Sequence, residues 1–259
     1  MLKNQGIDIP RSPDADSMWP RSLIRYDCTL AEMTGNLALD EALLAIVEVD
    51  PAAACLRFWE AADFCVVLGR SNSIDTEVDV AFCKSMGIPI LRRASGGGTV
   101  LVGPGCLCYT LVLPLTDGLR AMGVSRVTSE IMERMAVGLG ELLPKVGVCG
   151  TSDLVWDGRK FSGNAQRWQR NAFVHHGTML YDFDLPRMER CLNHPAREPD
   201  YRRARTHAEF VGNIPVDPES LRSTLGQLWN SVSATCPMTV IEDARKIAES
   251  RYASRDWQF

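Results

Sequence analysis

The stretch LVWDGRKFSGNAQRWQRNAFVHHGTMLYDFD, residues Leu154–Asp184, is the part of the chain from which its architecture can be read. Asp157-Gly158 is a two-residue hairpin signal that joins the strand-like run Leu154–Trp156 to a second run beginning at Lys160. Lys160 therefore opens a strand, Lys160–Gln166, whose next positions include Ser162, Gly163 and Ala165, all too small to cover it. A lysine in such a trough can reach a carbonyl or phosphate oxygen of a bound ligand, because its compact ammonium suits a point charge on a developing oxyanion. The plainer alternative is a strand-edge lysine that discourages pairing with other chains. The sheet continues through Ala172–Asp182, which carries His175 and His176. Adjacent residues on a strand point to opposite faces, so one histidine should face a cleft while the other packs, and a shared metal is not expected.

Working upstream, Ser125–Leu143 reads as a long amphipathic helix, and Cys106–Leu113 reads as a central strand, first alternating and then continuously apolar. Val100–Val102 and Ile88–Arg92 flank a glycine-rich turn. Asp75–Met86 has helical spacing through Val78, Phe82 and Met86, and Ala54–Trp59 and Phe64–Leu68 read as strands. Asn36–Val49 is a helix with Leu37, Leu39, Leu43, Leu44 and Val47 on its apolar face, capped by Thr29 or Thr34. Asp40 could contact the site from there, but its expected role is that of a solvated helix acid. Downstream, helices are expected at Leu185–Leu192, Pro218–Val232 and Thr239–Tyr252. Residues 1–20, rich in Pro, Asp and Ser, are expected to form a flexible arm, leaving 21–259 as a single domain. Strands in hairpins mixed with helices, without regular βαβ alternation, predict an α+β fold on a mixed, largely antiparallel sheet packed with helices.

The 259 residues are 46% hydrophobic, enough for a sizeable core, and the formal net charge of -4 argues against a general nucleic-acid binder. Arginines do cluster at Arg202, Arg203 and Arg205, in a polar stretch read as a solvated loop or as a docking site for the acidic face of a small carrier domain. The nine cysteines form no CxxC pair and no zinc pattern, so they read as reduced thiols filling the core. The N-terminus has no apolar leader and no run approaches the roughly 18 apolar residues of a membrane span. A cytoplasmic enzyme without a membrane partner is the expectation.

The glycine-rich turn reads Arg92-Arg93-Ala94-Ser95-Gly96-Gly97-Gly98-Thr99. Three successive glycines let backbone N–H groups approach a ligand that a Cβ would hold off, and Arg92, Arg93, Ser95 and Thr99 surround them with charge and hydroxyls. It matches neither the P-loop nor the dinucleotide fingerprint. Taken with the lysine stretch, it predicts a cleft for an adenylate or an acyl group.

Together RRASGGGTV (92–100), DGRKFSGNAQRW (157–168) and HHGTMLYDFDL (175–185), with NLALDEAL (36–43) and RYASRDW (251–257), resemble the catalytic domain of the lipoate-protein ligase family, whose fold is shared with octanoyltransferases and biotin-protein ligases. The resemblance implies that Arg92, Ser95 and Gly96–Gly98 line an acyl-adenylate pocket. It implies that Lys160 binds the acyl carbonyl and phosphate, with Ser162, Gly163, Ala165, His176, Gly177 and Thr178 completing the wall. The implied reaction activates lipoate or octanoate with ATP and Mg as acyl-AMP. A lysine of a lipoyl carrier domain, either glycine cleavage H protein or the E2 of a 2-oxoacid dehydrogenase, then takes the acyl group.

Two departures keep alternatives open. Where many ligases carry a His-Asp pair and an Asn after the triplet, this chain reads LVGPGC at 101–106, and Ser152-Asp153-Leu154 stands where Asn-Asp-Leu is common. The chain is also expected to lack the C-terminal accessory domain of classical ligases, which points either to a separate accessory chain or to an octanoyltransferase supplied by acyl carrier protein. In the transferase, Cys149 would be the nucleophile. A non-catalytic acyl- or biotin-binding module is the remaining alternative, disfavoured by the retained lysine.

Overall fold

The computed structural model describes residues 18–195, 198–254 and 257. In chain order its elements are β1 (Leu23–Asp27), α1 (Met33–Val49), β2 (Cys55–Trp59), β3 (Cys65–Leu68), α2 (Ile74–Glu77), α3 (Val80–Ser85), β4 (Ile90–Arg92) and β5 (Val100–Val102). There follow β6 (Cys106–Pro114), α4 (Asp117–Leu139), β7 (Gly147–Cys149), β8 (Asp153–Trp156), β9 (Arg159–Trp168) and β10 (Ala172–Leu180). The chain closes with α5 (Leu185–Cys191), α6 (His207–Phe210), α7 (Pro218–Leu228), β11 (Ser231–Ser233) and α8 (Met238–Ile247).

Eight strands form one sheet in the order β11-β1-β2-β6-β10-β9-β8-β7, and a second sheet has the order β4-β3-β5. In the large sheet β1 is parallel to both neighbours and the other pairings are antiparallel. The fold is thus α+β on antiparallel-rich sheets, as the hairpin spacing predicts.

Strand β6 shows why its sequence is apolar throughout. Cys106, Cys108 and Val112 pack into a core beneath α1 and the small sheet, while Leu107, Tyr109, Leu111 and Leu113 pack into a second core beneath α4 and α7. A strand covered on both faces has no solvent side to keep polar.

Several boundaries differ from the sequence expectation. The first helix begins at Met33 with Glu32 at its N-cap, so neither Thr29 nor Thr34 caps it. Thr29 instead accepts from the Glu60 N–H. The expected helix 75–86 is two short ones, because Val78 is extended and bridges to Leu192. The expected helix 125–143 starts earlier, at Asp117, and bends at Gly123. The helix expected at 218–232 ends at Leu228, and the edge strand β11 follows. Most of the expected N-terminal arm lies outside the described residues, but Met18 and Trp19 pack on the second core, Trp19 meeting Trp229 edge-on at 5.9 Å.

Candidate active site

The hairpin between β8 and β9 turns through Asp157 (φ 49°) and Gly158 (φ 74°), the left-handed pair that a two-residue turn requires. This turn sets Lys160 on the inner side of β9, with Ser162 buried beyond it. A Cβ on Gly163 would lie 2.9 Å from the lysine Nζ, so the missing side chain is what lets the ammonium lie across the strand. Register pairs Ala165 with His176 and Asn164 with Gly177. The glycine triplet meets this surface from the other sheet, for a Cβ on Gly97 would sit 3.3 Å from the Ala165 Cβ.

Between them lies a cavity of about 960 Å³. Its wall includes Gly96, Gly97, Gly98, Thr99, Lys160, Ser162, Gly163, Ala165, His176, Gly177 and Thr178, so these expected residues are brought together. Part of the wall is apolar, with Leu37, Trp59, Val67, Leu101, Leu180 and Leu192. Another part is polar, with Ser152, Asp153, Lys160, Glu198, Arg202 and His207. Lys160 Nζ lies 2.8 Å from Asp153 Oδ1, and Asp153 Oδ2 accepts from the Tyr201 hydroxyl at 2.7 Å. The lysine is therefore aimed by a carboxylate that is itself held in place.

Two expected wall residues stand behind the wall instead. Arg92 Nη1 donates to the carbonyls of Gly69, Arg70 and Asn72 at 3.0, 3.2 and 2.7 Å, supporting the turn that follows β3. Of the two adjacent arginines, Arg93 is the one on the cavity. Its Nη2 donates to the carbonyls of Gly96 and Gly98, and its Nε donates to Ser95 Oγ at 2.9 Å. Burial pulls the Arg93 guanidinium down to about 10, which leaves it charged at neutral pH. Backbone carbonyls turned toward Arg93 leave the N–H groups of a glycine turn free to face a ligand. Ser95, buried behind the triplet, links Arg93 to the catalytic face rather than lining the cavity.

Ser95 Oγ lies 2.6 Å from His176 Nε2, and His176 Nδ1 lies 3.1 Å from Asp40 Oδ2. With Nδ1–H directed at the carboxylate, Nε2 accepts from the serine hydroxyl. The other Asp40 oxygen accepts from Arg57 at 2.7 Å, and Thr110 Oγ1 donates to Oδ2 at 2.9 Å. Burial works against the Asp40 charge, but the His176 hydrogen bond and the Arg57 guanidinium outweigh it and hold the carboxyl below its usual range. Asp40 is thus a buried cavity residue and not the solvated acid expected from the sequence. The available signal was its place on the helix stripe Asn36, Leu37, Asp40, Leu43, Leu44, Val47, where a solvated acid does not belong. Arg57, fully buried in the middle of β2, was not singled out either.

His175 points to the opposite face, as alternation requires. It is sealed between the Tyr109 hydroxyl at 3.1 Å and Gln166 Nε2 at 2.9 Å, and burial, with the neighbouring His176, pulls it down to about 3. It is a neutral packing residue.

Cys149 ends the edge strand β7, half-buried, and is not part of the cavity wall. Burial and then Asp153 push its thiol up, the reverse of what a nucleophilic cysteine needs. The arginine cluster is also not a solvated loop throughout. Arg202 is 4% exposed, and its guanidinium and that of Arg205 stack on Phe210 at 4.9 and 5.2 Å. Among the described residues, the buried side-chain nitrogens without a hydrogen-bond partner are Trp59 Nε1 and Arg202 Nη2, and both residues line the cavity. Buried donors left unpaired are costly, so a ligand that brings an acceptor to either would relieve that cost.

A model of the lipoyl protein ligase A/B catalytic domain matches residues 32–216. A probable lipoate-protein ligase A from Mycoplasma pneumoniae is 25% identical over 237 residues, 86% of this chain and 67% of that protein, so the chain spans about two thirds of that relative's length. In fold, the chain is similar to the bi-partite lipoate protein ligase of Thermoplasma acidophilum, described with its E2 lipoyl domain (TM-score 0.78, 22% identity, 92% of this chain and 96% of that one). It is also similar to a lipoate-protein ligase A bound with ATP (TM-score 0.74, 22% identity, 92% and 98%).

Proposed function

The chain belongs to the lipoyl protein ligase A/B catalytic-domain family, and from that premise we propose that it activates lipoate, or octanoate, with ATP as acyl-AMP and attaches the acyl group to a lysine of a lipoyl carrier domain. The observation that carries the reading is one cavity whose wall holds Lys160, the glycine turn Gly96–Gly98 and apolar side chains such as Leu37, Val67, Leu101 and Leu180.

In this reading the fatty chain lies along Leu37, Val67, Leu101 and Leu180, with its carboxylate delivered toward Lys160. Attack of the carboxylate oxygen on the α-phosphorus of ATP forms the mixed anhydride and releases pyrophosphate. The carrier lysine amine then attacks the acyl carbonyl, and AMP leaves. Negative charge gathers on oxygens near the same point in both steps. Lys160, oriented by Asp153, keeps N–H donors for those oxygens beside the Gly96–Gly98 amides. Neither step requires a covalent bond to the protein. Among the described residues no group of three or more His, Cys, Asp or Glu is placed to hold a metal. Magnesium would therefore come in on the nucleotide phosphates, with at most one or two carboxylates of the chain.

The carrier is proposed to be an E2 lipoyl domain or glycine cleavage H protein. By analogy with the bi-partite Thermoplasma protein, a separate accessory chain would assist adenylation. The transferase route through Cys149 is not favoured, given the placement and the raised thiol described above.

The test measures lipoate- and ATP-dependent pyrophosphate release together with the mass gain of a lipoyl domain, with and without a candidate accessory chain. Both signals are expected, and both should persist in Cys149→Ala. A hydroxylamine-labile octanoyl adduct on Cys149 would establish the transferase instead, and silence in every assay would leave a binding module.

A further inference from the structure

All nine cysteines are free thiols, and the reaction proposed above uses none of them. Sheet register singles out two. β1 runs parallel to β11 with Leu23, Ile24 and Arg25 beside Ser231, Val232 and Ser233, a constant offset of 208 residues (231 − 23). The ladder continues past the strand ends, since the Ala234 N–H donates to the Arg25 carbonyl at 2.9 Å. The same offset, carried three residues beyond Arg25 and Ser233, sets Cys28 beside Cys236 on neighbouring chain segments.

Both cysteines line a surface depression of about 460 Å³, together with Asp27, Ser233 and Thr235. Cys28 is half-buried there and Cys236 is buried. Neighbouring strands lie about 4.8 Å apart, within the Cα separation of roughly 4.4–6.8 Å that a disulfide accepts. Other neighbouring thiols lack this access: Cys83 and Cys191 are sealed in the core, and Cys106 and Cys108 share the central strand.

The main chain of Cys28 is tied to the cavity. Its carbonyl accepts from Arg57 Nε at 3.0 Å, Arg57 Nη1 donates to Asp40 at 2.7 Å, and Asp40 meets His176 at 3.1 Å. Three polar contacts therefore separate the dithiol from a residue on the cavity wall.

We propose that Cys28 and Cys236 form a reversible dithiol–disulfide site, oxidised by low-molecular-weight disulfides, whose state is transmitted through Arg57 and Asp40 to His176. The Cys28 thiolate attacks one sulfur of the small disulfide, forming a mixed disulfide and expelling one thiol. Cys236 Sγ then attacks Cys28 Sγ and expels the second. Two protein thiols are oxidised, one small disulfide is reduced, and the two protons finish on the two expelled thiols. Cys28 takes the first step because burial, and then Cys28 itself as a neighbour, pushes the Cys236 thiol up to about 12. An S–S bond of about 2.05 Å is far shorter than any contact between two unbonded sulfurs. Closing it draws the Cys28 main chain toward Pro237, the N-cap of α8, and so moves the carbonyl that holds Arg57.

The experiment incubates the full chain with oxidised glutathione, blocks the remaining thiols, identifies linked peptides by mass spectrometry and follows the histidine ring resonances by NMR. The expected result is a Cys28–Cys236 cross-linked peptide, two hydrogens lighter than the sum of its parts, with a shifted His176 resonance. Excess dithiothreitol should reverse both changes, Cys236→Ser should show neither, and Cys83→Ser should show both. A product arrested as the glutathione adduct of Cys28, no linkage under conditions that oxidise an added small dithiol, or a linkage that leaves His176 unmoved would each overturn the proposal.

Discussion

Lys160 pairs with Asp153, which in turn accepts from Tyr201, and it lies at a partly open cavity with 27% of its side chain exposed, so its contribution to stability is small and the role proposed for it is chemical. Lys160→Ala should cut lipoyl-domain modification by about 10²–10³-fold, the usual cost of removing one donor from a developing oxyanion, with a urea midpoint close to the parent's. Near-normal turnover in that variant would remove the lysine from the mechanism. Asp40 should behave in the opposite way. Asp40→Asn leaves the fully buried Arg57 without its carboxylate, and breaking such a pair costs roughly 3–5 kcal/mol, measurable by urea denaturation. Two histidines set a pH dependence. Burial pulls His175 down to about 3, and burial with the neighbouring Arg202 pulls His207 down to about 4. Both folded values lie below the unfolded value of about 6.5, so the unfolded chain binds more protons in that window and stability rises with pH. The contribution is complete above about pH 6.5 and is lost progressively as pH falls from there, to about 4 for His207 and about 3 for His175. Urea midpoints between pH 7.5 and 4.5 should show this decline, with a flatter profile in His207→Gln. Lys160 was legible in the sequence because local spacing places it. The buried pairing of Asp40 and Arg57 was not, because their partners lie 136 and 17 residues away in His176 and Asp40.

At the level of elements, those with a strong local signal matched their expectation. The Asp-Gly turn forms because both positions take positive φ, and β6 stands where a continuous apolar run predicts a two-sided central strand. The elements that departed from expectation were shaped by neighbours. Val78 has helical spacing, yet pairing with Leu192 holds it extended. The three-residue strands β7 and β11 exist because an adjacent strand presents unpaired backbone, and they carry too few residues for a period to show. Helix α4 bends at Gly123, whose φ of 77° and ψ of 165° belong to the region open essentially to glycine alone. A Cβ there meets nothing within 4 Å, so the penalty is purely conformational. Gly123→Ala is expected to lower stability by about 1–3 kcal/mol without steric clash. An unchanged melting temperature would show that the bend can relax.

On the scale of the whole molecule, the cavity is walled by both sheets and by the segment from Glu198 to Val211, so ligand binding should brace parts of the chain far apart in sequence. Lipoate with ATP at about a hundred times the dissociation constant should stabilise the folded state by about 2.7 kcal/mol, read as a rise in melting temperature of roughly 5–10 °C. The absence of any rise at saturating ligand would argue against the proposed pocket. Hydrophobic periodicity and turn chemistry were sufficient for the α+β class, the central strand, the lysine hairpin and the glycine turn, since each depends on residues within a few positions of one another. They could not show which of two adjacent arginines faces the ligand, that an acid on a helix is buried against an arginine on a strand, or that Cys149 stands apart from the cavity. Those outcomes depend on which distant surfaces meet when the sheets and helices pack, and burial then sets the charge and hydrogen-bond partners of each group.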